Sequence, residues 1–346
     1  MTTREALRGR IQTVLGPIEP DALGPTLMHE HLLCDLNPPS VRARNEPPTE
    51  ITLENVYEIN YGRAHHPVKY RLDSRDVAID EVARMRAAGG DALVELTIGG
   101  IDPDPLGLAD IARATGARIV MGCGYYVDDY LGPEVRDRPA EDFAAEMVAA
   151  VLDGAWGTGV RAGILGEIGC SAPWTGLEKT VMRGAVAAQA ETGAALNVHP
   201  GRHPDQPQEV ADFVAAEGGR VDRLIVSHID RTIFDLDRML RLADVGAVLE
   251  FDLFGLETTY YPLADVDLPN DGQRLRAIRA LIDHGHLERV VISHDICQRT
   301  RLRRFGGHGY DHIFTNVLPI MRARGFTEAE IDAILVGNPR RLLAIS

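Results

Sequence analysis

Residues 161–228 read RAGILGEIGCSAPWTGLEKTVMRGAVAAQAETGAALNVHPGRHPDQPQEVADFVAAEGGRVDRLIVSH. Three short runs rich in Ile, Leu and Val stand out: RAGILGEIG (161–169), ALNVH (195–199) and RLIVSH (223–228). Between them lie stretches with helical spacing, one from Gly176 to Thr192 and one ending at Ala216. Short apolar runs alternating with helical segments predict a parallel sheet covered by helices. The same rhythm extends outward. DALVELTI (91–98) and ARIVMGCG (117–124) read as strands, as do AVLEFDL (247–253) and RVVISHD (289–295). Helical spacing follows Pro105 and runs from Ala140 to Leu152. With TLMHEHL (26–32) the strands number eight, the count of a (β/α)8 TIM barrel in the α/β class.

The chain has 346 residues, enough for one such barrel with decorated loops. No linker divides it, so residues 1–346 are expected to form a single barrel domain with an N-terminal extension. A terminal helix over 327–345 is expected to cover the barrel. Residues 33–80 fit the pattern poorly and read as a long connection, with a helix from Ser74 to Ala88 at its end. The 51 acidic residues outnumber the 36 basic ones, for a formal charge of −15. Nucleic acid and anionic membrane surfaces would be repelled by that charge. No signal peptide or membrane-spanning run is apparent, and four cysteines form no disulfide framework, so a cytoplasmic protein is expected.

The chemistry gathers at the strand ends. His29 and His31 lie two apart in a strand, which points both to the same face. This is not the HExxH helix motif, because Leu33 stands where the second histidine would be. Glu167, His199, His228 and Asp295 each follow an apolar run, at the carboxyl end of its strand. Barrels of this class carry their active sites at that end. Four imidazoles and two carboxylates suit zinc, manganese, iron or cobalt. Six ligands exceed the needs of one catalytic zinc but suit two ions bridged by a carboxylate.

The chain resembles the phosphotriesterase family of the amidohydrolase superfamily, most closely its phosphotriesterase-related branch. The resemblance is carried by GPTLMHEHL (24–32), MGCGYY (121–126), GILGEIGCS (163–171), HPGR (199–202), SHIDRT (227–232), EFDLFG (250–255), ISHDIC (292–297), GGHGY (306–310) and NPRRLL (338–343). It implies that His29, His31 and Asp295 hold a buried metal ion and that His199 and His228 hold a more exposed one. Zinc is the leading expectation for both. Glu167 stands where many members carry a carboxylated lysine, so the bridge should form without bicarbonate.

The resulting expectation is a hydrolase in which hydroxide bridging two metal ions attacks a carbonyl centre of an N-acyl amide, lactone or other carboxylic ester. Asp295 is the expected proton shuttle. The alternatives are a phosphotriesterase and, in another class, a non-catalytic small-ligand-binding protein. Expected substrate contacts are Tyr126, Arg202 and Asp230, with Arg299 from the basic run RTRLRR (299–304) as a grip for an anionic group. Tyr125 and His203 are weaker candidates beside them. The expected partner is a small molecule, anionic in the favoured case, and the resemblance is compatible with a homodimer. The four cysteines are expected to be buried fillers.

Overall fold

The computed structural model describes residues 3–44, 50–62, 66–257, 261 and 263–346. Eight parallel strands form the barrel: β1 Thr26–Glu30, β2 Ala92–Glu95, β3 Arg118–Met121, β4 Leu165–Gly169, β5 Leu196–His199, β6 Leu224–Val226, β7 Val248–Phe251 and β8 Val290–Ile292. Ladders join β1–β2–β3 and β4 through β8 in sequence order. Backbone bonds complete the ring: Gly163 N and Gly166 N donate to Met121 O and Cys123 O, and Asp295 N donates to His29 O. The expected (β/α)8 barrel is the observed fold.

A helix follows each strand: α1 Arg75–Ala87, α2 Pro105–Thr115, α3 Ala140–Leu152, α4 Gly176–Thr192, α5 Gln206–Ala216, α6 Leu236–Asp244, α7 Asp271–Asp283 and α8 Leu318–Ala323. Their ends are written locally. Thr175 and Glu178 form a reciprocal capping box at the start of α4, and Gly193 closes it in the left-handed region, φ 76°. Among the described residues no helix is long and apolar enough to cross a membrane.

The barrel interior is divided along its axis. Its lower part is packed by fully buried apolar side chains such as Met28, Val94, Val120, Ile225, Val248 and Val291. The hairpin of Ile11–Thr13 and Gly16–Ile18 lies at this end, bridged through Ile11 to Ala344. Arg223 ties the C-terminal segment down by donating to the carbonyls of Arg341, Leu342 and Ala344. Stability is therefore concentrated at the amino ends of the strands, which leaves the carboxyl ends available for polar groups.

The structure refines one sequence expectation and corrects another. The terminal helix expected over 327–345 is observed as a continuous helical run over 328–343, in which wider π-type turns at Ala333–Gly337 lie between Glu328–Asp332 and Asn338–Leu343. The same wider turn, Ile313–Val317, precedes α8. In each case a proline follows, Pro339 or Pro319. Proline lacks an N–H and its ring crowds the preceding turn, which a wider turn relieves. The connection over 33–80 is also more ordered than its composition suggests. Cys34–Asp35 pairs antiparallel with Arg71–Leu72, and Pro39–Arg42 and Val56–Asn60 are helical. Residues 45–49, within the polar run RARNEPPTE, lie outside the described residues.

Because Ile225 is fully buried in the interior cluster, Ile225→Ala should destabilise the protein by about 2–5 kcal/mol. Urea unfolding should show a lower midpoint with an unchanged slope. An unchanged midpoint would mean that this interior packing does not hold the barrel.

Candidate metal centre

Several strand ends converge above the apolar plug. The β1–β2 pairing shifts register between Leu27 and Glu30. Met28 accordingly joins the interior cluster while His29, the next residue, reaches Ser227 and Glu250 of the neighbouring strand ends. His31 follows two residues later, just past β1. In β4, Gly166 has φ 107°, and a Cβ there would lie 2.0 Å from Asn197 O. Only glycine lets β4 approach β5 this closely and present Glu167 inward. His199 ends β5. His228 and Asp295 lie just past β6 and β8 with φ of 55° and 49°, uncommon for residues with side chains. Backbone bonds fix both: His228 N donates to Asp252 Oδ2 at 2.9 Å, and Asp295 N to His29 O at 3.1 Å.

The six side chains form two donor groups sharing Glu167. On one side, Glu167 Oε1 lies 3.6 Å from His29 Nε2 and 3.4 Å from His31 Nε2. Asp295 Oδ1 faces the same two nitrogens at 3.8 and 3.3 Å. On the other side, Glu167 Oε2 lies 2.8 Å from His199 Nδ1 and 3.3 Å from His228 Nε2, which are themselves 2.9 Å apart. His29 Nε2 is buried and has no hydrogen-bond partner. A buried, unpaired ring nitrogen facing two carboxylates is a poor protein interior and a suitable cation cradle. His29, His31 and Glu167, and likewise Glu167, His199 and His228, each offer three donor atoms mutually within 4.8 Å.

Outer partners set the ring orientations. His228 Nδ1 meets Asp252 Oδ1 at 2.9 Å. His31 Nδ1 meets Thr97 Oγ1 at 3.0 Å, and that hydroxyl donates to Glu95 Oε1 at 2.6 Å. His29 Nδ1 lies among Ser227, Glu250 and Asp252. With Nδ1 engaged, these three rings turn Nε2 to the centre, the arrangement that orients imidazole ligands. His199 is reversed: Nδ1 faces Glu167 while Nε2 lies 3.2 Å from Arg231 Nη2. Asp252 and Glu250 were missed in the sequence although AVLEFDL alternates, placing both on the inward face of Val248.

Burial alone would raise the Glu167 carboxyl, but His29, His199 and His228 outweigh it and hold it well below the usual range. Burial opposes a charge on His31, yet hydrogen bonds with Asp295 and Glu167 raise it to about 9.

A single cavity opens over this cluster and is lined by His31, Glu167, His199, His228 and Asp295. Tyr126 lines it with its ring edge-on to His199 at 4.9 Å. Arg202 lines it, with Nε donating to Tyr261 Oη at 2.6 Å. Two expected substrate contacts lie elsewhere. Asp230 is buried in an ion pair with Arg274 at 2.6 Å and accepts from Leu253 N. The strand alternation that favoured Asp230 stops at His228, where the chain enters the short helix Ile229–Thr232. Arg231 faces the cavity instead. Arg299 donates to Asp73 and to Arg71 O outside the cavity, and Arg301 is the member of the basic run that reaches it. Tyr125 turns away to Glu146, and His203 stands exposed beside Asp205. The cysteines are free, and Cys297 joins the cavity lining.

The model of the Phosphotriesterase family matches residues 9–343. The chain belongs to the phosphotriesterase family. Membership makes it a metal-dependent hydrolase. It is 39% identical to N-acetyltaurine hydrolase of Bos taurus over 346 residues, covering 98% of this chain and 99% of the relative. It is also 39% identical to the phosphotriesterase-related protein of Nematostella vectensis, covering 97% and 98%. Among solved structures, a resiniferatoxin-binding protein from Rhodobacter sphaeroides superposes with a TM-score of 0.91 at 38% identity, covering 98% of this chain and 97% of that one.

The raised His31 gives this family member a testable pH dependence when divalent ions are stripped by a chelator. A histidine lifted on folding from 6.5 to about 9 contributes stability that is full below pH 6.5 and is lost as pH rises through 9. Between these values the urea midpoint of wild type should fall more steeply than that of His31→Asn. Parallel slopes would remove the inferred His31 contacts from the account.

Proposed function

We propose that this protein uses two divalent ions to hydrolyse a small N-acyl amide. His29, His31 and Asp295 would hold one ion, His199 and His228 the other, and Glu167 would bridge them. The observation that carries the reading is the division of Glu167, whose two oxygens face separate pairs of histidines. Imidazole and carboxylate donors suit zinc first, with manganese, iron or cobalt as matching alternatives. Bound at such a site, two ions acidify a water molecule and polarise a carbonyl oxygen.

The residues of the chain do the rest. Asp295 is the carboxylate of the cluster with the most exposed side chain, at 14% against 2% for Glu167. It is thus placed to take a proton from the attacking water and deliver it to the departing amine. Arg301 Nη1 donates to the Asp295 carbonyl at 2.8 Å and steadies the turn that carries this carboxylate. Tyr126 packs against His199 and closes that flank against solvent.

Cavity size favours a small substrate. Its volume is about 120 Å3, below the roughly 300–1,000 Å3 of pockets for drug-sized ligands. A compact acylated amine fits such a space better than a bulky neutral triester. Relatives named N-acetyltaurine hydrolase point to the same amide class. Lactones and other carboxylic esters present the same carbonyl chemistry. Ligand binding without turnover, the reading suggested by the name of the Rhodobacter protein, leaves the complete donor set without a purpose.

Zinc- or manganese-loaded protein should cleave N-acetylated small amines faster than lactones, and lactones faster than a neutral phosphotriester. Fast cleavage of the triester alone would overturn the assignment. Reconstitution with metal should be insensitive to bicarbonate, since Glu167 needs no carboxylation. Asp295→Asn should lower kcat by about 10²- to 10⁴-fold. A matching collapse in metal content would reassign Asp295 to a ligand role only.

A further inference from the structure

We infer that Arg231 and Arg202 form a receptor for an anionic group on the substrate, beside His199, a conclusion that rests on the amide-hydrolase reading and specifies its substrate class. Three arginines line the cavity: Arg202, Arg231 and Arg301. Among the described residues, none of the three has a carboxylate within ion-pair distance. The nearby arginines outside the cavity do have one. Arg299 pairs with Asp73, Arg274 with Asp230 and Asp271, and Arg303 with Asp311. In a chain with 51 acidic residues, three unpaired guanidinium groups around one cavity call for a local cause.

The three differ in what already holds them. Arg301 is engaged with the carbonyls of Asp295 and His294, so it is a positioning residue for the Asp295 turn. Arg231 is buried and, among the described residues, meets neutral groups: it donates to the carbonyl of Pro200 at 3.0 Å and to Thr232 Oγ1 at 3.2 Å, and lies 3.2 Å from His199 Nε2. Burying a cation against neutral dipoles alone is costly, and an incoming anion would offset that cost. Arg202 is exposed at the cavity edge. Its Nε donates to Tyr261 Oη, and its guanidinium lies 5.7 Å from the Tyr261 ring centre. Neither Nη atom of Arg202 has a protein partner among the described residues, so a planar fork of donors faces the cavity, the geometry that grips an oxyanion.

Both cations belong to the His199 flank. Arg202 lies three residues beyond His199, and Arg231 contacts that ring directly. The two carboxylates on the cavity, Glu167 and Asp295, face the histidines and leave the arginine charges uncompensated. An N-acyl amine bearing a carboxylate or a sulfonate would therefore place its oxyanion between Arg202 and Arg231 while its amide lies over the histidine cluster. Loss of a charge-assisted contact of this kind is expected to cost about 10- to 100-fold.

The test compares metal-loaded wild type, Arg202→Gln, Arg202→Lys and Arg231→Gln on three N-acetyl amides. These derive from 2-aminoethanesulfonate, from 3-aminopropanoate and from neutral propylamine. Wild type should favour the anionic amides in kcat/KM, and Arg202→Gln should lower the anionic-to-neutral ratio about 10- to 100-fold, mainly through KM. Arg202→Lys should recover part of it. Arg299→Gln, which alters a pair outside the cavity, should leave the ratio unchanged. A larger effect on the sulfonate than on the carboxylate, or the reverse, identifies the preferred oxyanion. Calorimetric binding of 2-aminoethanesulfonate and 3-aminopropanoate supplies a readout without turnover. Binding that is lost in Arg202→Gln and Arg231→Gln, with metal content retained, supports the receptor even if no amide is cleaved, a result that would sink only the hydrolytic reading. Cleavage of all three amides with equal kcat/KM, or an unaltered ratio in Arg202→Gln, would overturn the receptor.

Discussion

The arrangement turns on one buried carboxylate. Glu167 lies at the meeting point of four imidazoles, and a charge taken so far from water costs several kcal/mol unless partners surround it. Those partners come from the ends of β1, β5 and β6. The strands must therefore stop at fixed heights, and the backbone must bend into the left-handed region at His228 and Asp295 to bring their side chains round. Such conformations persist only where the surroundings over-determine them. Here Asp252 and the carbonyl of His29 do so, tying β7 to the turn after β6 and β1 to the turn after β8. The polar upper interior is tolerated because the lower interior is filled by a cluster of buried apolar side chains.

Sequence alternation made much of this legible. The two-residue spacing of His29 and His31, and the polar residues closing five apolar runs, were enough to outline the barrel and the donor set. The rule failed where the chain left the strand conformation. After His228 the backbone turns into a helix, so the side chain facing the cavity is that of Arg231, three positions on, rather than Asp230, two positions on. In the basic run 299–304 composition alone could not distinguish one arginine from another. Tertiary partners decide: Asp73 draws Arg299 outward, while the carbonyl of Asp295 draws Arg301 inward. Glu250 and Asp252 were visible in the alternation of AVLEFDL but were passed over because their role depends on histidines from other strands.

Charge is distributed on two scales. The molecule is strongly acidic overall, yet the cavity over the histidine cluster is edged by arginines that have no acidic partner among the described residues. Long-range repulsion is screened within about 8 Å at physiological salt, so a small anion reaching the mouth is governed by the local groups. On the proposed reading, the surface charge would disfavour polyanions, which approach over a wide area, while a compact anion would still enter.

The bottom of the barrel carries a consequence for how the chain comes to be assembled. Gly9 N donates to Ile345 O, Ile345 N donates to Arg10 O, and Ile11 bridges Ala344. The segment that seals the barrel's base thus joins residues 9–11 to residues 344–345. In a chain emerging in order, the hairpin over residues 11–18 lacks this partner until residues 344–345 have been made. The last strand of the ring ends at Ile292, well before residues 344–345. Contacts of such wide sequence separation carry a large loop-closure cost, so closure of the base is expected to be slow relative to the local strand–helix pairings.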